Sequence, residues 1–121
     1  MSDQAEEVRR APGLTTIAPG VLVQIAQLTA ISVPGVSGLA AAPASVDRLF
    51  RRGSGEGVQI EIEDNQISAE LYLALDQGAD ARKVGRAVQQ AVARAIEQMV
   101  GMEVGRIDVH IEEIDFEQGE G

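Results

Sequence analysis

The chain contains no cysteine and no tryptophan, and its aromatic residues are limited to Phe50, Tyr72 and Phe116. Without cysteine there are no disulfides, no thiolate nucleophile and no cysteine-bound zinc. So few aromatic rings leave little to stack on nucleobases or to anchor an aromatic hot spot. Positive charge is also scarce, with 10 Lys+Arg against 19 Asp+Glu and a net charge of -9. Nucleic-acid backbones are bound through Lys and Arg contacts that release counterions, so this balance points away from nucleic acid and from non-specific contact with anionic lipid. Long apolar runs are missing too. The longest, residues 20–31, is interrupted by Gln24 and Gln27 and falls short of the roughly 20 residues a membrane span needs. The opening MSDQAEEVRR leads into no signal-like apolar stretch, so neither export nor direct membrane insertion is expected. A cytoplasmic location is compatible with these absences.

What is present is enough for one ordinary core. The 121 residues are 45% hydrophobic, which suits a single domain and not two. Residues 1–13 read as a flexible polar tail, 14–115 as the domain, and 116–121 as a flexible acidic tail. Residues 14–17 are a possible lead-in strand. Pro19 then opens a first helix over residues 19–32, with Val21, Leu22, Ile25, Leu28 and Thr29 at core-facing spacing. Pro34 and Gly35 stop it. A short small-residue strand is expected over 36–41 and a loop over 43–57. Val58, Ile60 and Ile62 alternate with polar residues as in a half-buried strand, Asp64-Asn65 makes a hairpin turn, and the return strand sets Ile67, Ala69, Leu71, Leu73 and Leu75 on one face. Ser68, Glu70 and Tyr72 take the other. Asp80 caps a second helix whose apolar stripe is Val84, Val88, Ala91, Val92, Ala95 and Met99, ended by Gly101. A last strand over 104–114 turns Ile107, Val109 and Ile111 inward and Asp108, His110 and Glu112 outward. The fold class is α+β: one small, mostly antiparallel sheet with two helices packed on one face and the other face exposed to solvent.

Chemistry-bearing patterns are weak. Asp108, His110 and Glu112 share a strand face, but side chains two apart on a strand stand roughly 6.5–7 Å from each other, awkward for enclosing a small ion. His110 has no nucleophile motif to serve. Exposed carboxylates such as Glu61 and Glu63 lack the contrast of environments that separates an acid from a base. The glycine-rich 53–57 segment lacks the Lys-Ser/Thr ending of a phosphate loop. No catalytic, metal or cofactor-binding residue is assigned, and the chain reads as a non-enzyme.

Two surface features say more. No Asp, Glu, Lys or Arg lies between Arg10 and Asp47, so the first helix has no charged outer face. A surface helix that is apolar most of the way round is usually covered. The second helix is basic, whereas the strands are acidic on their exposed sides, an opposition that steers charged partners. The expected interaction surface is Val23, Gln27, Ala30 and Ile31 on the first helix with Arg82 and Arg86 on the second, serving a homo-oligomer or a protein partner.

The run Ile17-Ala18-Pro19-Gly20-Val21 opening a helix, then Val33-Pro34-Gly35-Val36-Ser37-Gly38-Leu39, resembles the start of the bacterial alkaline shock protein twenty-three family. The likeness continues through Gly57-Val58-Gln59-Ile60, the strand over 69–75, Gly78, and 84–100 leading into Gly101-Met102-Glu103-Val104. It closes on Ile107-Asp108-Val109-His110-Ile111, covering nearly all of residues 14–115. The resemblance implies a non-enzymatic cytoplasmic protein linked to envelope homeostasis and stress response, with some members self-assembling and some held at the membrane by a separate anchor protein. Other members are associated with fatty-acid or lipid metabolism. That leaves a second reading: a cytosolic regulator of a lipid-metabolic enzyme, or a binder of an acyl ligand in a groove with Leu49 and Phe50.

Overall fold

The computed structural model describes residues 12–42 and 53–116; most of the tails expected at 1–13 and 116–121, and Leu49 and Phe50, lie outside them. The elements run α1 (Pro19–Ile31), β1 (Val36–Leu39), β2 (Gly53–Gly55), β3 (Val58–Glu63), β4 (Gln66–Asp76), α2 (Ala81–Val100) and β5 (Glu103–Asp115). The expected lead-in strand at residues 14–17 does not form; these residues are exposed and belong to no strand. Conversely, a strand occupies Gly53–Gly55, where a loop was expected, because those residues return antiparallel along β3.

The hydrophobic alternation of β4 makes it the centre of the sheet. Ile67, Ala69, Leu71, Leu73 and Leu75 are all buried against the helices, and each fully buried Leu or Ile contributes about 1.5–3 kcal/mol of transfer free energy. β5 pairs parallel with β4 along its whole length, Gln66 through Asp76. A strand has only two edges, so β3 and β1 share the other one end to end. β3 pairs antiparallel over Gln66–Leu71 and β1 over Leu73–Leu75. The one parallel pairing follows from connectivity: α2 carries the chain back over the sheet between β4 and β5, as a crossover must. The α+β arrangement is the one the sequence indicates.

The Asp64-Asn65 turn between β3 and β4 has positive φ at both residues, the geometry whose twist matches a tight hairpin. Asp80 caps α2 as expected: its Oδ1 accepts from the backbone N–H of Arg82 at 3.1 Å and of Lys83 at 3.2 Å. Val84, Val88, Val92 and Ile96 are the buried residues of α2. Met99, assigned to the stripe, is instead 63% exposed, one residue before the end of α2.

Both helices lie on the same face of the sheet and pack on each other. Gly35, just past α1, sits against Val84 and Ala79 at the start of α2. The two helices therefore run antiparallel, α1 toward that end of the molecule and α2 away from it.

Candidate interaction surface

The α1 sequence VLVQIAQLTAI carries two apolar stripes, and the fold uses one of them. Leu22, Val23, Ala26 and Ala30 are buried under the helix. Ala26 and Ala30, both at 0% exposure, let the helix axis approach the sheet closely. The opposite stripe, Val21, Gln24, Leu28 and Ile31, faces outward, with Leu28 66% and Ile31 46% exposed. This reverses part of the sequence reading. Val23 and Ala30 are core residues and present nothing to a partner, whereas Val21 and Leu28, assigned to the core, stand on the surface. Ile31 is exposed as expected. Gln27 is half-buried, its Nε2 donating to the Glu56 backbone oxygen at 3.1 Å.

On α2 the outer face is charged. Arg82, Lys83, Arg86, Arg94 and Glu97 are all exposed. The ion pairs among the described residues are Arg106 with Asp108 and His110 with Glu70, both on the sheet. None of Arg82, Lys83, Arg86 and Arg94 has an ionic partner among the described residues. In a chain with nearly two acids for each base, four unpaired cations on one helix form a local exception to the global charge.

The far face of the sheet holds a different cluster. Tyr72 and His110 are register partners across β4 and β5, and their rings stack at 4.7 Å with an interplanar angle of 14°. The Tyr72 hydroxyl donates to Glu70 Oε1 at 2.7 Å. Tyr72 was expected on an open polar face, yet it is only 2% exposed, shielded in part by the stacked imidazole. Burial first, and then the bond to Glu70, push its pKa up to about 12. Such a hydroxyl stays protonated at neutral pH and acts as a donor, not as a base or nucleophile. His110 Nε2 lies 3.3 Å from Glu70 Oε1, but the angles do not make a hydrogen bond and the atom is otherwise unpartnered. The contact is an ion pair only when the imidazole is protonated. No grouping of three or more His, Cys, Asp or Glu suited to a metal occurs among the described residues.

Val21 and Leu28 are the α1 residues whose exposure the sequence pattern did not indicate, whereas Lys83 and Arg94 stand exposed on the outer side of α2, as their charge requires. The spacing alone offers the two α1 residues as part of a candidate outer stripe, since positions 21, 24, 28 and 31 follow the 3-4-3 pattern of a helix-packing seam.

An α+β sheet layered on one side by two antiparallel helices, offering an apolar and cationic helical surface, defines the class. The chain belongs to the alkaline shock protein twenty-three family, a family with a cell envelope-related function, whose sequence model matches residues 7–116. Among its relatives is the uncharacterized protein YqhY of Bacillus subtilis (strain 168), 29% identical over 107 residues that span 87% of this chain and 79% of that protein. Another is the uncharacterized protein YloU of the same organism, 24% identical over 110 residues, 88% of this chain and 92% of that protein. Among solved structures, the chain is similar in fold to the MamM CTD in its copper form, with a TM-score of 0.54, 18% identity, and coverage of 79% of this chain and 94% of that one. A zinc form of a MamM CTD variant gives a TM-score of 0.56 at 19% identity, over 78% of this chain and 85% of that one. At these identities the likeness concerns the fold alone. No helix among the described residues is long and apolar enough to cross a membrane.

Proposed function

We propose that this chain is a non-catalytic interaction protein of the cell envelope, acting at the membrane through a protein partner and not by inserting itself. The observation that carries this reading is the outer stripe of α1. Val21, Leu28 and Ile31 are held 40%, 66% and 46% exposed on a helix that also fills the core from its other side. A row of exposed aliphatic side chains broken only by Gln24 forgoes burial, and we read it as a contact site. The family's envelope-related function supplies the setting. The far-face cluster supports a structural role, since its tyrosine is sealed and protonated and its carboxylate is already engaged.

The test is site-specific photo-crosslinking in cells, with a benzophenone side chain at position 28 and, as the control, at position 112 on β5. The expected result is a crosslink from position 28 to an integral membrane protein and none from position 112. Crosslinks only to soluble lipid-metabolic enzymes would instead establish the regulator reading.

A further inference from the structure

Helix α1 is flanked unequally. Gln27 turns toward the β2–β3 hairpin through its bond to the Glu56 oxygen, which leaves Val21 and Leu28 on the flank nearer α2. Helix α2 is oriented by two contacts with β5: Gln89 Nε2 donates to the Ile107 oxygen at 3.1 Å, and Gly85 lies against Val109. Its opposite flank, with exposed Ala87 and then Lys83 and Arg94 at the rim, is therefore the one turned toward α1. The surface between the helices has an aliphatic wall from α1 and a cationic rim from α2.

Resting on the reading above, we propose that this α1–α2 surface receives one amphipathic helix of a partner protein, its apolar stripe on Val21, Leu28 and Ile31 and an acidic flank against Lys83 and Arg94. Charge complementarity selects the occupant. A second copy of this chain docked through the same surface would bring its own Lys83 and Arg94 against these two, which like-charge repulsion disfavours. An anionic membrane would satisfy the cations, but a chain of net charge -9 is repelled from such a surface as a whole. The described helical face also lacks the Trp and Tyr that interfacial surfaces use. The 3-4-3 spacing of residues 21, 24, 28 and 31 is that of a seam packing on another helix, the helix-in-groove mode of recognition.

The probe is a labelled helical peptide with Leu at the a and d positions of each heptad and Glu at the flanking e and g positions, used below its own self-association concentration. Its counterpart carries Lys in place of Glu. In fluorescence anisotropy the Glu peptide binds the full chain at least about tenfold more tightly than the Lys peptide. Leu28→Gln weakens that binding by a similar factor, and the double variant Lys83→Glu/Arg94→Glu reverses the preference. All three positions are exposed, so unchanged circular dichroism and urea midpoints verify that the variants fold.

Equal affinity for the two peptides, or none for either, overturns the proposal. Leu28-dependent binding to phosphatidylglycerol vesicles in place of the Glu peptide overturns it in favour of a lipid surface. A concentration-dependent dimer lost in Leu28→Gln overturns it in favour of a second copy. If the peptide fails while position 28 still crosslinks to a membrane protein, the acidic-helix proposal falls and the envelope reading stands. The opposite pattern separates them the other way.

Discussion

Gly57 is where β1, the β2–β3 hairpin and β4 converge, and replacing it with alanine tests that junction. Its φ of +71° already disfavours an L side chain, at about 1–2 kcal/mol. A Cβ there would lie 2.8 Å from Leu39 Cβ, 2.9 Å from the Tyr72 oxygen and 3.0 Å from the Ala40 oxygen. Two of these three are backbone atoms and cannot swing aside. They are also tied down, since the Tyr72 N–H donates to the Gly57 oxygen and the Ala40 N–H to the Tyr72 oxygen, each at 2.8 Å. Overpacking of this kind adds about 1–3 kcal/mol, so Gly57→Ala is expected to cost about 2–5 kcal/mol. That is a large part of the roughly 0.05–0.15 kcal/mol per residue by which domains are stable. The control is Gly78, whose φ is +89° but whose added Cβ would meet nothing within 4 Å. Gly78→Ala therefore isolates the conformational term, at about 1–2 kcal/mol. Urea denaturation of the wild type and both variants measures the difference, with unchanged m-values required for the comparison. Amide exchange at Ala40 and Tyr72 should accelerate in Gly57→Ala beyond the change in global stability. Equal losses in the two variants would refute the argument, because they would mean that the crowding at the junction relaxes at no cost.

Four further outcomes are expected. Asp80→Ala removes the acceptor for the Arg82 and Lys83 amides and lowers stability by about 1 kcal/mol; Asp80→Asn retains most of it, as chemical denaturation will show. Leu71→Ala, at a site with 0% exposure, costs about 2–5 kcal/mol through lost transfer and a cavity. Leu28→Ala stays within about 0.5 kcal/mol, so thermal melts of the pair separate the buried face from the outer one. Tyr72 is the only tyrosine, so its ultraviolet absorbance titrates as a single species, with a midpoint near 12 that falls in Glu70→Gln. Its folded pKa is raised above the ordinary value of 10.0, so the folded state holds its proton more tightly. The tyrosine's contribution to stability is therefore complete below pH 10 and is lost progressively as the pH rises toward 12; a pH series of urea midpoints follows it.

The strands and α2 were legible because their patterns are unambiguous. Period-two alternation in 58–63 and 67–75 leaves one register for a half-buried strand, and the valines of α2 recur at helical spacing between charged residues, so one face alone can be the core. Residues 53–55 look like loop in sequence because glycine and serine carry no strand pattern of their own; β3 supplies the hydrogen-bond partners that make them a strand. The parallel placement of β5 is not written in its alternation, which any edge strand would share; it follows from where α2 delivers the chain.

The candidate surface divides along the same line. That α1 is a helix without charge and α2 a basic one can be read from the residues alone, because propensity, spacing and formal charge are their own properties. Which side of α1 is the outside was decided only by tertiary packing. With aliphatic residues all round and no charge to exclude either side from the core, local physics leaves the two faces nearly equivalent. The sheet breaks the tie by demanding close approach, which Ala26 and Ala30 permit and Leu28 does not. Tyr72 gives the same lesson on the far side: alternation placed it away from the helices, but only the register that sets His110 beside it made it a sealed, proton-retaining residue.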